Sequence, residues 1–317
     1  MSFVKATRIV FLPCKILGIL LVNLKNPRVD SHSKSVLFWK FNGFVLMIII
    51  EGYFLWTLIN FPLDTLKDLV RFGQYLSFMF STMSLFYVTI CRSQALKQLY
   101  IKFYDLSEIS FYSEINYHSV SVFCNSFAFI IFLLDISFMY SSFQKDPIIG
   151  LYQLLSSFFL IWTITAYNYF FFLIITYIFI LSLYFSEINR FLTKKFIHRK
   201  FLRNLHEMYT KNCEIADDMN RIFDIFFLPA LLIQFFRIVW ITYSKIYILV
   251  ENGFISIYEV FELIEKIILS MTFICILLWV CSKTKNMVSV YYILLLFRYK
   301  SRVSSPHDFS LSPLTNL

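Results

Sequence analysis

The residues in this chain that could do chemistry are few, and their spacing is wrong for most of it. His198 and His206 share one helical face at i and i+8, but about 12 Å apart they are too far from each other to hold one metal. They read better as part of a solvated basic face. No CxxC or HExxH occurs, and glycines stand only at 18, 43, 52, 73, 150 and 253, so no Gly-rich phosphate loop is available. Neither an enzyme nor a cofactor is expected. Three ionisable residues remain, each inside an apolar stretch: Glu51, Asp135 and Arg237. Charges in such places are costly and mark ion, proton or ligand sites by default, with a structural ion pair or an interfacial anchor as the plain alternative. Lys40 is near enough to an inner boundary to snorkel.

Those three must be positioned by something, and the composition says what. Of 317 residues 58% are hydrophobic and 15% charged, with 39 Phe and 20 Tyr and a mean hydropathy of +0.67. A soluble globule needs roughly a quarter of its residues charged. The expected class is an all-α polytopic membrane bundle, because an isolated backbone in lipid must satisfy its own hydrogen bonds. Six segments qualify as spans: 36–60, 74–91, 119–142, 151–185, 221–249 and 261–281. The fourth is longer than a bilayer about 30 Å thick requires, so it is expected to project beyond it and pack on other protein. The run at 9–23, broken by Pro13 and Lys15 with no small-residue cleavage site after it, reads as a short cytoplasmic or interfacial helix rather than a signal peptide.

Basic residues set the orientation. Regions 1–35, 92–118, 186–221 and 282–317 hold 22 of the 29 Lys and Arg, while the alternate loops hold only Lys67, Arg71, Lys145, Lys245 and Lys266. Both termini are therefore expected in the cytoplasm, with 1–35 an N-terminal segment, 36–281 the membrane domain with inner loops 92–118 and 186–220, and 282–317 a tail. The same bias accounts for the net charge of +9 without nucleic acid. It is opposite to that of a G-protein-coupled receptor. No cysteine falls in an outer loop and no N-x-S/T sequon occurs, so no extracellular disulfide is expected.

Asp135 and Arg237 lie at similar depth on ascending segments, which would let them pair. Aromatic residues crowd the outer halves of the segments: Phe78, Tyr140, Tyr152, Trp162, Tyr167, Trp240 and Tyr243. With Asp135 and Arg237 they make a candidate cavity for a small organic ligand or a sugar, although an aromatic belt gives the same enrichment. Pro229 is expected to bend the fifth segment.

The stretch FLRNLHEMYTKNCEIADDMNRIFDIFFLPALLIQF at 201–235 carries Leu202, Leu205, Asp217, Asp218, Asn220 and Phe223. This order of spaced leucines, acidic cluster, Asn and Phe-rich span resembles the insect gustatory receptor family. FLPCKILGILL at 11–21, with Ile16, Leu17 and Gly18, is similar to the family's opening pattern. CSKTKNMVSVYYILLLFRY at 281–299 is similar to its Cys-x-x-Thr and following helix, through Cys281 and Thr284. The resemblance runs loosely from about residue 8 to 299. It implies a tetrameric ligand-gated cation channel in the plasma membrane, formed with identical or other chemoreceptor subunits and gated by a small-molecule tastant. It further implies seven helices per subunit, a packed cytoplasmic base and a pocket open to the outside. The nearest competing readings are an odorant receptor of the same superfamily and a secondary transporter, for which internal repeats and paired helix breaks are lacking.

The family's pore helix carries Thr-Tyr, several hydrophobics, then Gln-Phe, and residues 300–317 show no such span. Ions need a polar, water-filled path through the bilayer. Expressed alone, this polypeptide is therefore expected to pass no ligand-gated current. A robust tastant-evoked cation current in cells making only this chain would overturn that expectation.

Overall fold

The computed structural model describes residues 2–17, 19, 41, 45, 48–53, 55–56, 58–60, 66–109, 112, 115–143, 151–193, 199–252, 260, 263–264, 267–268, 271–272, 274–286 and 288–289. Among the described residues the chain is helical throughout, with no strand. The continuous helices are α1 (Phe3–Ile16), α2 (Leu66–Ile90), α3 (Ser93–Glu108), α4 (Tyr117–Phe143), α5 (Leu151–Leu192) and α6 (Arg199–Asn252). Helical residues also occur at described positions of 41–60 and 260–289.

Length separates the elements. α5 has 42 residues and α6 has 54, about 63 Å and about 81 Å at 1.5 Å per residue, both well beyond a hydrocarbon core about 30 Å thick. Two helical stretches are long and apolar enough to cross a membrane: Ile164–Leu192 in α5, with mean hydropathy 2.1, and Phe201–Tyr247 in α6, with 2.0. The other apolar helical stretches, Met79–Ile90 and Tyr117–Leu133, are shorter, and the expected spans at 36–60 and 261–281 fall partly outside the described residues.

α5 is the hub. It packs against α1, α2, α4 and α6, and residues 170–175 are all buried. Such a run, apolar on every face, needs neighbours all round. α2 and α6 make the most extensive helix pair. They run antiparallel, with Gly73 against the Phe236 ring at one end and Arg92 bonded to Asp224 at the other. A Cβ at Gly73 would come within 2.9 Å of that ring, so the close approach depends on glycine there.

Three elements add packing that the sequence reading left open. The N-terminal helix begins at Phe3, and Phe3, Ala6, Thr7, Val10, Phe11 and Cys14 form a buried stripe along it at helical spacing. It docks on α3, α4 and α5. The region 92–118 contains α3, whose Leu96, Leu99, Tyr100, Phe103 and Leu106 are buried. Much of 186–221 is the first third of α6.

Rings hold this lower assembly together. Phe11 stands 5.0 Å from Tyr100 of α3 and 5.6 Å from Tyr177 of α5, centroid to centroid, and Phe103 stacks on Tyr177 at 4.9 Å. Such pairs contribute about 0.5–1.5 kcal/mol each beyond burial. Phe11→Ala is expected to destabilise the purified chain by about 3–5 kcal/mol. Leu12→Ala, on the exposed side of the same helix, should cost under about 0.5 kcal/mol. Thermal unfolding in detergent distinguishes the two, and equal losses would contradict the docking of α1.

Candidate functional site

The candidate ligand residues fall on four helices: Phe78 on α2, Asp135 and Tyr140 on α4, Tyr152, Trp162 and Tyr167 on α5, and Arg237, Trp240 and Tyr243 on α6. The side chains of Phe78, Asp135, Tyr140, Tyr152 and Arg237 lie outside the described residues. α4 packs chiefly on α1 and α5, and α6 on α2, α3 and α5. The helix bearing Asp135 and the helix bearing Arg237 thus share α5 as their common neighbour.

Tyr167 is buried, and its hydroxyl donates to the Ala230 carbonyl of α6 at 3.0 Å. Its ring packs near Phe171 and Phe226. That contact falls one residue past Pro229, which lies inside α6 and has no N–H for the carbonyl of Ile225. Tyr167 therefore clamps α5 onto α6 just beyond the break in the backbone ladder. Trp162, Trp240 and Tyr243 are half-buried, and Tyr243 stacks on Tyr247 within its own helix at 6.4 Å.

One residue the sequence reading passed over stands out here. Gln234 is buried, one turn beyond Ala230, and its Oε1 has no hydrogen-bond partner among the described residues. The signal was present, since it is the one amide in 223–243. A buried acceptor without a donor is a place where a ligand hydroxyl or amine gains a bond at no competing loss.

Below this region the 201–235 motif is built into a packed base. Leu205 and Phe223 are buried, Phe223 against Phe170 at 5.7 Å and Tyr177 at 6.5 Å. Asp218 pairs with Lys102 of α3, and Asp224 with Arg92, whose guanidinium also lies 5.1 Å from the Tyr87 ring centre. Asp217 and Asn220 are exposed. Asn212 donates to the Tyr112 hydroxyl at 3.2 Å, and Tyr112 packs on Tyr184 at 4.6 Å. Tyr184 in turn donates to the Phe103 carbonyl at 3.3 Å. Burial pushes the Cys14 thiol and the Tyr100 and Tyr112 phenols well above their ordinary values, so all three are neutral and unreactive at physiological pH. Of the two residues carrying the last motif, Cys281 is exposed and Thr284 donates to the Val280 carbonyl.

Tyr167→Phe keeps the ring and removes only the donor to Ala230. It is expected to lower stability by about 1 kcal/mol, read as a lower unfolding temperature in detergent. An unchanged unfolding temperature would free Tyr167 from the clamp and return it to the ligand residues. Comparison with models of protein families, with curated proteins and with solved structures returned no match.

Proposed function

We propose that this chain is a multi-pass plasma-membrane protein with both termini in the cytoplasm, acting as a gustatory-type chemoreceptor. In this reading it is one subunit of a tetrameric ligand-gated cation channel, assembled with itself or with other chemoreceptor subunits. Its ligand is a small-molecule tastant held among the outer halves of the helices, where Trp162, Gln234 and Trp240 are the described residues closest to the role.

The observation that carries the reading is the excess length of α5 and α6. Both are apolar enough to cross a bilayer, and both run on into a base in which the 201–235 motif supplies buried Leu205, Asn212 and Phe223 and the paired Asp218. The concentration of Lys and Arg in the regions around that base supports placing it on the cytoplasmic side. The exposed apolar side chains of the upper part of α6, among them Leu231, Leu232, Phe235 and Ile246, suit contact with lipid or a neighbouring subunit.

The test is topology together with assembly. Epitope tags at residue 1, within 186–221 and at residue 317 are expected to stain only after permeabilisation, and a tag within 143–150 on intact cells. Differently tagged copies should co-purify and count four subunits by stepwise photobleaching. A C-terminal tag visible on intact cells rejects the six-span arrangement, and a monomer rejects the channel subunit.

A further inference from the structure

Of the three ionisable residues singled out inside apolar stretches, Glu51 is the one that is not among the candidate ligand residues. It lies in the described helical residues before α2, next to the buried Ile50. Both carboxyl oxygens are closed off from solvent, and neither has a hydrogen-bond partner among the described residues. Thr82 of α2, itself buried, stands beside the carboxyl. In the same turn of α2, Ser81 is 3% exposed and its hydroxyl also lacks a partner. Other hydroxyls in these helices are satisfied locally: Thr7, Ser84, Thr272 and Thr284 each donate to the carbonyl four residues back, the usual solution in an apolar helix. Ser81 is not.

Among the described helices α2 and α6, no basic position stands level with this carboxyl. On α2 the charged residues are Lys67, Asp68 and Arg71, the last about 16 Å from Thr82 along the axis. On α6, Phe236 against Gly73 sets Arg237 near the level of Gly73, about 13 Å from Thr82. Lys245 is farther still, and Asp224 is engaged by Arg92. An ionised carboxylate buried without compensation is strongly unfavourable, so such groups carry a proton or a counter-ion. One carboxylate balances one positive charge. A divalent ion would leave an excess charge and calls for six or more oxygens. The oxygens here are hard acceptors, which excludes soft metals.

We propose that Glu51 is the anionic pole of an internal site for one monovalent cation, a proton or an alkali-metal ion, with the Thr82 and Ser81 hydroxyls as its neutral oxygens. The bound cation holds the helical segment around Glu51 onto α2.

The test uses the full chain purified in detergent. Unfolding temperature is measured for wild type, Glu51→Gln and Thr82→Val, at mildly acidic and mildly alkaline pH, in sodium chloride or choline chloride at equal ionic strength. If the cation is a proton, wild type loses several degrees as pH rises, in either salt. A carboxyl kept protonated by the fold contributes stability at low pH, and that contribution disappears as pH rises through its folded value. If it is an alkali-metal ion, sodium raises the wild-type unfolding temperature by several degrees over choline at the alkaline pH. Glu51→Gln, whose amide imitates the neutral acid, removes either dependence, and Thr82→Val weakens it. Should Glu51→Gln fail to fold, Thr82→Val alone decides: a weakened dependence supports the site and an undiminished one overturns it. The proposal also fails if wild type and Glu51→Gln respond alike to pH and sodium. It fails equally if Arg237→Gln restores the stability of Glu51→Gln, which would make the pair an internal salt bridge.

Discussion

A helix that is apolar on every face has to be covered on every face, and α5 imposes that requirement on the rest of the molecule. Its 42 residues include an unbroken run of buried side chains at 170–175. A backbone of that composition satisfies its own hydrogen bonds, so what remains is to remove side-chain surface from water. Where lipid can do this, neighbours are optional. In the lower half of α5 protein does it, and 78% of its most apolar stretch is buried inside the molecule, against 38% for α6. α1, α3, α4 and the first half of α6 are arranged to supply that cover, with Phe11, Phe103 and Phe223 meeting Tyr177 from three different helices.

The same requirement joins the upper and lower halves mechanically. α5 and α6 are continuous from one to the other, so the two halves are built on the same two helices. Along the way the helices are tied at defined heights: Gly73 against Phe236, Tyr167 on Ala230 just past Pro229, Arg92 on Asp224 and Lys102 on Asp218. The ion pairs are partly exposed and each stabilises by at most about 1 kcal/mol. Their effect is to fix register rather than to add stability.

Legibility in the sequence followed how local the deciding physics was. The apolar runs at 119–142 and 151–185 announced α4 and α5 within a few residues, because span length and composition are properties of the segment itself. α3 was hidden by its charges. Lys97, Lys102 and Arg92 marked 92–118 as an inner loop, while the stripe of Leu96, Leu99, Tyr100, Phe103 and Leu106 had the spacing of a helix that rests on protein rather than in lipid. Pro13 reads as a break in 9–23 from sequence, yet α1 runs from Phe3 through it, with the buried stripe holding the helix against α4 and α5. In the candidate site, residue types were legible and partners were not. That Tyr167 spends its hydroxyl on Ala230, and that Gln234 has no donor, depend on how α5 and α6 are set against each other, which no short stretch of sequence encodes.

The central claim is that α6 is one rod, water-exposed in its first third and lipid- or subunit-facing beyond Asp224. Spin labels placed singly at Arg203, Glu207, Glu214, Leu231, Phe235 and Ile246, all exposed, read it directly through their relative accessibility to oxygen and to a water-soluble nickel complex in reconstituted bilayers. The account predicts nickel access at the first three positions and oxygen access at the last three, with the crossover between Asp224 and Leu231. Nickel access at all six positions would contradict it, because it would make α6 a helix lying in water along its whole length.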